Sequence, residues 1–163
     1  MLETTLCYLK ENDRLLMLHR VKKEHDVNEG KWIGIGGKLE EGENPQQCML
    51  REFKEETGLT LTSWQYRGIV NFQSEDWKEL MYLFTADAYE GSLSANCDEG
   101  DLCWVESGRI KDLSLWEGDR VFLSLLEQDE PLFLLDLHYS GENLIRAVLN
   151  GHELTLSRAS VPV

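Results

Sequence analysis

The 163-residue chain carries 30 acidic against 16 basic residues, a formal net charge of −14, and 42% of it is hydrophobic. This composition excludes a disordered chain and predicts a single globular domain over residues 1–163. The acidic balance disfavours a polymeric nucleic acid or an anionic membrane as partner, because both would be repelled. The N-terminal residues lack the basic segment and apolar core of a signal peptide, so we expect a cytoplasmic protein with reduced cysteines.

The first predicted elements are two strands joined by a tight turn. Apolar residues dominate residues 4–10 and 14–20, and the polar residues 11–13 separate them, which is the pattern of a β-hairpin. The polar stretch that follows is loop-like and contains three basic side chains that could contact phosphate oxygens or lie in solvent: Arg20, Lys22 and Lys23.

A glycine-rich segment then runs into a predicted helix. Three of the four residues 34–37 are glycines, and a missing side chain lets a phosphate or a metal approach the main chain. Asn44 is a good N-cap, and Gln47 can complete a capping box with it. Gly58 supplies the left-handed position that ends a helix. The pattern therefore predicts a helix over residues 45–57.

Three glutamates of this helix fall on one side of it. At about 100° per residue, Glu52, Glu55 and Glu56 gather in one patch, and Glu52 repels Glu56 by a few tenths of a kcal/mol. Arg51 offsets only part of this repulsion. A hard divalent cation would offset more of it, and oxygen ligands suit Mg²⁺ or Mn²⁺. The alternative is a solvated acidic helix face.

The remainder of the chain reads as strands with one further helix. The predicted strands are residues 59–61, 66–72, 80–86, 102–105, 132–139, 143–149 and 153–156. Residues 73–79 form a hairpin connection, residues 87–100 and 112–119 are predicted loops, and residues 120–128 are predicted as the second helix. The order of strands and helices suggests a mixed sheet packed between helices, whereas periodicity alone indicates only an α+β domain.

The spacing within residues 37–59 carries a family resemblance. Gly37 is followed after five residues by Glu43, after seven more by Arg51 and Glu52, and then by an apolar residue, two glutamates, a glycine and an apolar residue. This spacing is the Nudix signature, so the chain resembles the Nudix hydrolases. The resemblance implies an α/β/α sandwich with the signature loop and helix at its centre.

The resemblance also implies a chemistry and a set of residues for it. Nudix hydrolases cleave nucleoside diphosphates linked to another moiety, by attack of water with the help of a divalent metal, here Mg²⁺ or Mn²⁺. Glu56 or Glu52 would take the proton from water, and Arg51 would orient the carboxylates. The implied metal ligands are the carbonyl of Gly37 and the carboxylates of Glu52, Glu55, Glu56 and Glu99. Asp98 is the alternative to Glu99 as the ligand from outside the helix. Glu99 could also be an exposed turn residue without a role in metal binding.

Features outside the signature carry a further resemblance: Trp32, Phe72, Leu80-Met81, Cys103-Trp104 and Leu115-Trp116-x-x-Asp119. Their order and spacing resemble those of the MutT-type hydrolases of oxidised purine nucleoside triphosphates. The implied base pocket comprises Ile33, Phe72, Met81, Trp116 and Asp119, with Lys23 and Lys38 as further substrate contacts. Phe72 and Trp116 could equally be ordinary core residues. Two positions depart from the pattern: Ile33 replaces a base-contacting asparagine, and Gly118 replaces a second aspartate.

The expected activity is metal-dependent pyrophosphohydrolysis of a nucleoside triphosphate, with oxidised purine nucleotides such as 8-oxo-dGTP among the candidates. The products would be a nucleoside monophosphate and pyrophosphate. Two alternatives remain: a Nudix hydrolase of ADP-ribose, a dinucleoside polyphosphate or another nucleotide derivative, and a catalytically silent nucleotide-binding regulator. The intact glutamates disfavour the regulator, since a pure binder does not require three repelling carboxylates.

Overall fold

One mixed β-sheet runs through the molecule, with a helix packed on each face. The structure, a computed structural model, describes residues 1–22, 25–94, 97 and 99–156. Its strands are β1 Leu2–Glu11, β2 Arg14–His19, β3 Trp32–Ile33, β4 Ile35–Lys38, β5 Thr60–Gln73, β6 Lys78–Glu90, β7 Asp101–Glu106, β8 Phe133–Ser140, β9 Asn143–Leu149 and β10 His152–Glu153. They follow the order β10-β9-β8-β5-β6-β1-β2-β3, while β4 pairs with β1 and β7 pairs with β2.

The sheet is mixed because two of its strand pairs are parallel. Strand β1 runs parallel to β6, and β5 runs parallel to β8, whereas the remaining pairs are antiparallel. The predicted hairpins between β1 and β2 and between β5 and β6 are both present. In the described ranges, no helix is long and apolar enough to cross a membrane.

Helix α1 spans Pro45–Thr57, as the capping signals predict. The Asn44 side chain accepts a hydrogen bond from the Gln47 N–H at 2.8 Å, and the Gln47 side chain accepts one from the Asn44 N–H at 2.9 Å. Gly58 ends the helix in the left-handed conformation, with φ of +80°. A side chain at that position would be strained. Local chemistry therefore fixes both ends of this helix.

Each helix covers its own face of the sheet. Alternate residues of β1 point to opposite faces: Leu6 and Tyr8 belong to the core under the second helix, whereas Cys7 and Leu9 belong to the core under α1. Helix α2 spans Glu117–Glu127 and inserts Phe122 into the first of these cores. The predicted α/β/α arrangement with a mixed sheet is thus confirmed.

Several predicted boundaries are wrong; the strands predicted at residues 59–61 and 66–72, for example, are one strand, β5. Residues 87–90 lie in β6 rather than in a loop, because ladder pairs with β5 continue to Glu90. Helix α2 begins at Glu117, three residues before its predicted start, because acidic side chains in a first turn favour the positive helix end. The last strand covers only His152–Glu153, and residues 154–156 lie outside it.

Candidate active site

The glycine segment and helix α1 meet at Gly37. A Cβ atom built on Gly37 would overlap the carboxylate of Glu52, so only glycine lets the strand and this side chain approach so closely. The Gly37 carbonyl accepts a weak hydrogen bond from the Cys48 thiol at 3.7 Å, and this thiol also lies 3.4 Å from the Thr5 hydroxyl. The main chain of β4 is therefore held against the first turn of the helix.

Arg51 gathers the acidic side chains of the loop and helix. Its guanidinium donates two hydrogen bonds to Glu43, at 2.6 and 2.9 Å, one to Glu52 at 2.8 Å and one to Glu55 at 3.2 Å. It also donates to the Lys38 carbonyl at 3.2 Å. The planar, permanently charged fork of arginine can satisfy several carboxylates at once, which lysine cannot. Arg51 thus orients the glutamates, and Glu43 braces the loop.

Glu56 and Glu99 form a second acidic group, deeper in the molecule. Glu56 is 8% exposed, and burial raises the pKa of its carboxyl, with a further rise from its hydrogen-bonding contact with Glu99. Glu99 accepts a hydrogen bond from Arg20 at 2.7 Å, and Arg20 also donates to Asp26 at 2.7 Å. The chain therefore brings Glu99 from a distant loop to the end of the signature helix.

The residues at this site fit a divalent cation. Glu56 Oε2 is buried and has no hydrogen-bond partner in the described part of the chain, although a buried carboxylate oxygen normally requires one. The neighbouring groups that could bind a metal are the carboxylates of Glu52 and Glu99, whose hard oxygen atoms are ligands suited to Mg²⁺. Among the described residues no three acidic, histidine or cysteine side chains already form a cage for an ion. Glu52 and Glu99 instead face Arg51 and Arg20.

A buried carboxyl, that of Asp119, lies in the first turn of helix α2. Asp119 is 6% exposed, and its carboxyl has no hydrogen-bond partner among the described residues. The pKa of Asp119 is raised to about 8, mainly by burial and further by Glu79, against the lowering effect of Lys31 and Arg120. An ionised carboxylate in such a place is costly unless a ligand or a water molecule bonds to it.

Trp116 is anchored by the loop that precedes the glycine segment. Its indole N–H donates to the Asn28 side chain at 2.8 Å, and the Lys31 ammonium lies 5.1 Å from its ring centroid. These contacts combine a hydrogen bond with a cation–π interaction, and both restrict the ring to one orientation. The ring of Trp116 is therefore held in place before any ligand binds.

Tyr139 fills the space beside Gly118. Its hydroxyl accepts a hydrogen bond from the Gly118 N–H at 2.7 Å, and a Cβ atom built on Gly118 would lie 2.5 Å from this oxygen. The centroid of the Tyr139 ring lies 6.0 Å from that of Trp116, in an edge-to-face arrangement, and 6.5 Å from that of Phe72. A tyrosine from strand β8 thus occupies the space beside Gly118, the position at which the resemblance implies a second aspartate.

A comparison of the sequence with protein-family models matches the NUDIX domain model over residues 3–126. The chain belongs to the Nudix family. It is 29% identical over 143 residues to the uncharacterised Nudix hydrolase YvcI of Bacillus subtilis, covering 85% of this chain and 87% of that protein. It is 34% identical over 125 residues to the oxidized purine nucleoside triphosphate hydrolase of Danio rerio, covering 76% of this chain and 79% of that protein.

A solved structure extends this Nudix assignment to three dimensions. The crystal structure of a MutT protein from Bacillus halodurans matches with a TM-score of 0.83 and 25% identity, covering 92% of this chain and 98% of that one. The family and the fold identify the chain as a Nudix hydrolase, that is, an enzyme of the pyrophosphatase type.

The Nudix fold brings most of the predicted site residues into two groups. Gly37, Arg51, Glu52, Glu55, Glu56 and Glu99 lie around the signature helix. Met81 and Phe72 pack in the core cluster that also includes Tyr139. Ile33 is half-buried in β3 opposite Leu18, and the Lys38 side chain is exposed at the end of β4. Lys23 and Asp98 lie outside the described residues.

Several groups at the site carry no sequence signal of their own. Lys31 and Asn28 lie in a polar loop, and Tyr139 lies in an ordinary strand. Arg20 is partly predictable from the sequence, because it is one of the few basic residues near the acidic helix. Its pairing with Asp26 and Glu99 depends on the tertiary fold.

Proposed function

We propose that this Nudix hydrolase is a metal-dependent pyrophosphohydrolase of nucleoside triphosphates, oxidised purine nucleotides among them, releasing a nucleoside monophosphate and pyrophosphate. The observation that carries the proposal is Asp119, a buried carboxyl with no hydrogen-bond partner among the described residues, beside the anchored ring of Trp116. An aromatic face with a buried carboxyl suits a purine, which offers a flat ring and N–H groups. The name of the zebrafish relative points to the same substrate class.

Mg²⁺ or Mn²⁺ would be held by Glu52, Glu55, Glu56 and Glu99, with the Gly37 carbonyl as a further ligand. The bound ion supplies neutralisation of the charge that develops on phosphate oxygens and lowers the pKa of water. Arg51 keeps Glu52 and Glu55 in position through its hydrogen bonds at 2.8 and 3.2 Å. The protein therefore sets the carboxylates in place before substrate arrives.

The proton from the attacking water is taken by Glu56 or Glu52. Both carboxyls are partly or largely removed from solvent, and burial raises the pKa of each. A bound cation would oppose this rise and favour the ionised form, which a general base requires. Glu55 is more exposed, at 58% of its side chain, which suits a ligand at the rim of the site.

The base would stack on Trp116 with its polar edge towards Asp119, and Phe72 and Met81 would form the apolar wall. Lys23 and Lys38 would contact phosphate oxygens, and Ile33 would line the apolar side of the pocket. Base selection then depends on groups remote from the glutamates, since the phosphate site holds the same pyrophosphate on every substrate.

The test is a panel of substrates with Mg²⁺: dGTP, 8-oxo-dGTP, dATP, the pyrimidine triphosphates, ADP-ribose and a dinucleoside polyphosphate. Release of pyrophosphate and of nucleoside monophosphate is measured separately. We expect a purine triphosphate to have the highest kcat/KM, with pyrophosphate as product. A higher kcat/KM for ADP-ribose than for every triphosphate would overturn the proposal, and no turnover at all would favour a silent binding protein.

A further inference from the structure

The guanidinium of Arg20 binds two carboxylates at once. Its Nη1 atom donates to Oε2 of Glu99 at 2.7 Å, and its Nε atom donates to Oδ2 of Asp26 at 2.7 Å. The side chains of Arg20 and Asp26 are 12% and 10% exposed and that of Glu99 is 28% exposed, so solvent screens neither pair fully. Arg20 therefore lies between a proposed cation ligand and the loop that contains Asp26.

Hydrogen bonds connect Asp26 to Trp116 through Asn28. The second carboxylate oxygen of Asp26, Oδ1, accepts a hydrogen bond from the Asn28 N–H at 3.2 Å. The Asn28 side chain in turn accepts a hydrogen bond from the Trp116 indole N–H at 2.8 Å. A continuous series of hydrogen-bonded residues thus runs from Glu99 through Arg20 to the ring on which we expect the base to stack.

The main chain also ties the loop of residues 26–31 to Arg20. The Gly30 N–H donates to the Arg20 carbonyl at 2.7 Å, and the Arg20 N–H donates to the Lys31 carbonyl at 2.9 Å. Within the loop, the Lys31 N–H donates to the Asn28 carbonyl at 2.8 Å. Because both the backbone and the side chain of Arg20 hold this loop, a change in the pairing of Arg20 is transmitted to the whole loop.

A cation at the glutamates would compete with Arg20 for Glu99. Glu99 contacts Glu56 on one side and Arg20 on the other, so the cation and the guanidinium are two positive charges that bind one carboxylate. Repulsion from the added charge weakens the pair of Arg20 with Glu99 and leaves Arg20 to pair with Asp26. The loop, and with it the ring of Trp116, is then held more firmly.

We propose that Arg20 is a positioning residue that couples binding of a divalent cation at the glutamates to the orientation of Trp116, so that Mg²⁺ tightens the binding of a purine base. The inference rests on the proposed function for its cation and its base. The coupling concerns affinity and not the chemical step. By linkage, the base must tighten the binding of Mg²⁺ by the same factor.

The test compares wild type with Arg20→Gln, Arg20→Lys and, as a matched control, Arg146→Gln. Arg146 forms an exposed ion pair with Glu153, which joins strands β9 and β10, so the control removes the same charge from outside both groups of site residues. Lysine retains the charge of Arg20, but its single ammonium lacks the planar fork that can serve two carboxylates.

Three quantities are measured for each protein. Proton–nitrogen NMR follows the indole N–H signal of Trp116 during a titration with Mg²⁺, and the signal is assigned as the one of five tryptophan signals that Trp116→Phe lacks. Calorimetric titration gives the Kd of Mg²⁺. It also gives the Kd of deoxyguanosine, 8-oxo-deoxyguanosine and deoxyadenosine with and without Mg²⁺. These nucleosides carry no phosphate, so Mg²⁺ acts on their binding only through the protein.

In wild type we expect Mg²⁺ to shift the Trp116 indole signal downfield, because a firmer hydrogen bond to Asn28 deshields this proton. Mg²⁺ should also lower the Kd of the preferred purine nucleoside about five- to twenty-fold. In Arg20→Gln and Arg20→Lys the Trp116 signal should not respond to Mg²⁺, and the nucleoside Kd should change less than about two-fold. Arg146→Gln should behave as wild type.

The affinity for Mg²⁺ separates coupling from mere structural support. Arg20→Gln should bind Mg²⁺ more tightly than wild type, because a competing positive charge has been removed. Weaker binding of Mg²⁺ by this variant would make Arg20 a support of the site and would overturn the inference. If Arg20→Gln does not fold, Arg20→Lys decides the question through the Trp116 signal.

Two further results would overturn the inference. One is a Trp116 signal and a nucleoside Kd that do not respond to Mg²⁺ in wild type. The other is coupling of wild-type size in Arg20→Lys, which would show that the contact with two carboxylates is not required. These titrations involve no turnover, so failure of the triphosphatase proposal appears in the substrate panel and failure of the coupling appears here.

Discussion

The proposed phosphate half and the proposed base half of the site are built in different ways. The phosphate half, defined by Gly37, Arg51 and the helix glutamates, comes almost entirely from one continuous segment, to which the fold adds Glu99 and Arg20. The base half, defined by Asp119, Trp116, Phe72, Met81 and Tyr139, comes from four strands or helices and a loop. Chemistry common to all substrates can be encoded locally, whereas recognition of one base depends on tertiary packing.

The Glu56→Gln variant is the strongest test of the difference between the phosphate half and the base half. Loss of a base or metal-binding carboxylate should lower kcat for every substrate by about 10²–10⁴-fold. Because burial already disfavours the charged form of Glu56 and the amide is close to the carboxyl in size, Tm should stay near that of wild type. The measurements are steady-state turnover over the substrate panel and thermal unfolding, with the exposed Glu41→Gln as control. If the Glu56→Gln variant turns over substrate at the wild-type rate, Glu56 is not a catalytic residue.

The Arg51→Met substitution should also affect the phosphate half, because it disturbs the positions of the glutamates without removing any of them. The substitution leaves Glu43, Glu52 and Glu55 without their shared donor, so we expect kcat/KM to fall about 10- to 100-fold on all substrates and the folded state to lose about 1–3 kcal/mol. Mg²⁺ should raise Tm more in the variant than in wild type, because it relieves the carboxylate repulsion. Thermal unfolding with and without Mg²⁺ measures this. An equal Mg²⁺ effect in both proteins would argue that the cation binds elsewhere.

Asp119→Asn should act on the base half alone. We expect kcat/KM for the preferred purine triphosphate to fall about 10- to 100-fold relative to the least-preferred base, with unchanged dependence on Mg²⁺. The measurement is kcat/KM over the triphosphate panel at several Mg²⁺ concentrations. Equal loss on every base would contradict the pocket role of Asp119.

The same carboxyl gives a pH-dependent prediction. Burial raises the pKa of Asp119 to about 8, whereas an aspartate in the unfolded chain titrates near about 3.9. Between these values the folded protein holds a proton that the unfolded chain has lost, so this group makes stability fall as pH rises through the window. Relative to wild type, Asp119→Asn should therefore gain Tm steadily from pH 5 to pH 8. A constant Tm difference would show that Asp119 titrates normally.

Gly118→Ala should give the smallest effect. The new methyl group would lie 2.5 Å from the Tyr139 hydroxyl, so Tyr139 must shift, at a cost of about 1–3 kcal/mol. Base preference should change a few-fold while kcat stays near wild type. Urea unfolding and kcat/KM ratios measure both, with Gly108→Ala as control, because a Cβ atom there meets nothing within 4 Å. A loss of kcat on all bases would mean that the two halves are coupled.

The sequence predicts best where neighbouring residues decide the structure. Asn44, Gln47 and Gly58 predict both ends of helix α1 because capping bonds span only a few residues. The sequence predicts the structure less well where pairing with a distant strand outweighs local preference. Residues 87–90 resemble a loop by composition but join β6, since pairing with β5 outweighs their local preference.

Taken alone, the sequence determines the family, the signature helix and the clustering of the glutamates that we propose as cation ligands, because their spacing along one helix already places them together. Only the tertiary structure brings Glu99 and Arg20 to Glu56, places Tyr139 against Gly118, and buries Tyr8 and Asp119 without hydrogen-bond partners among the described residues. The physical reason is that each of these contacts joins residues far apart in the chain. Their proximity and their desolvation both depend on how the sheet and helix α2 pack.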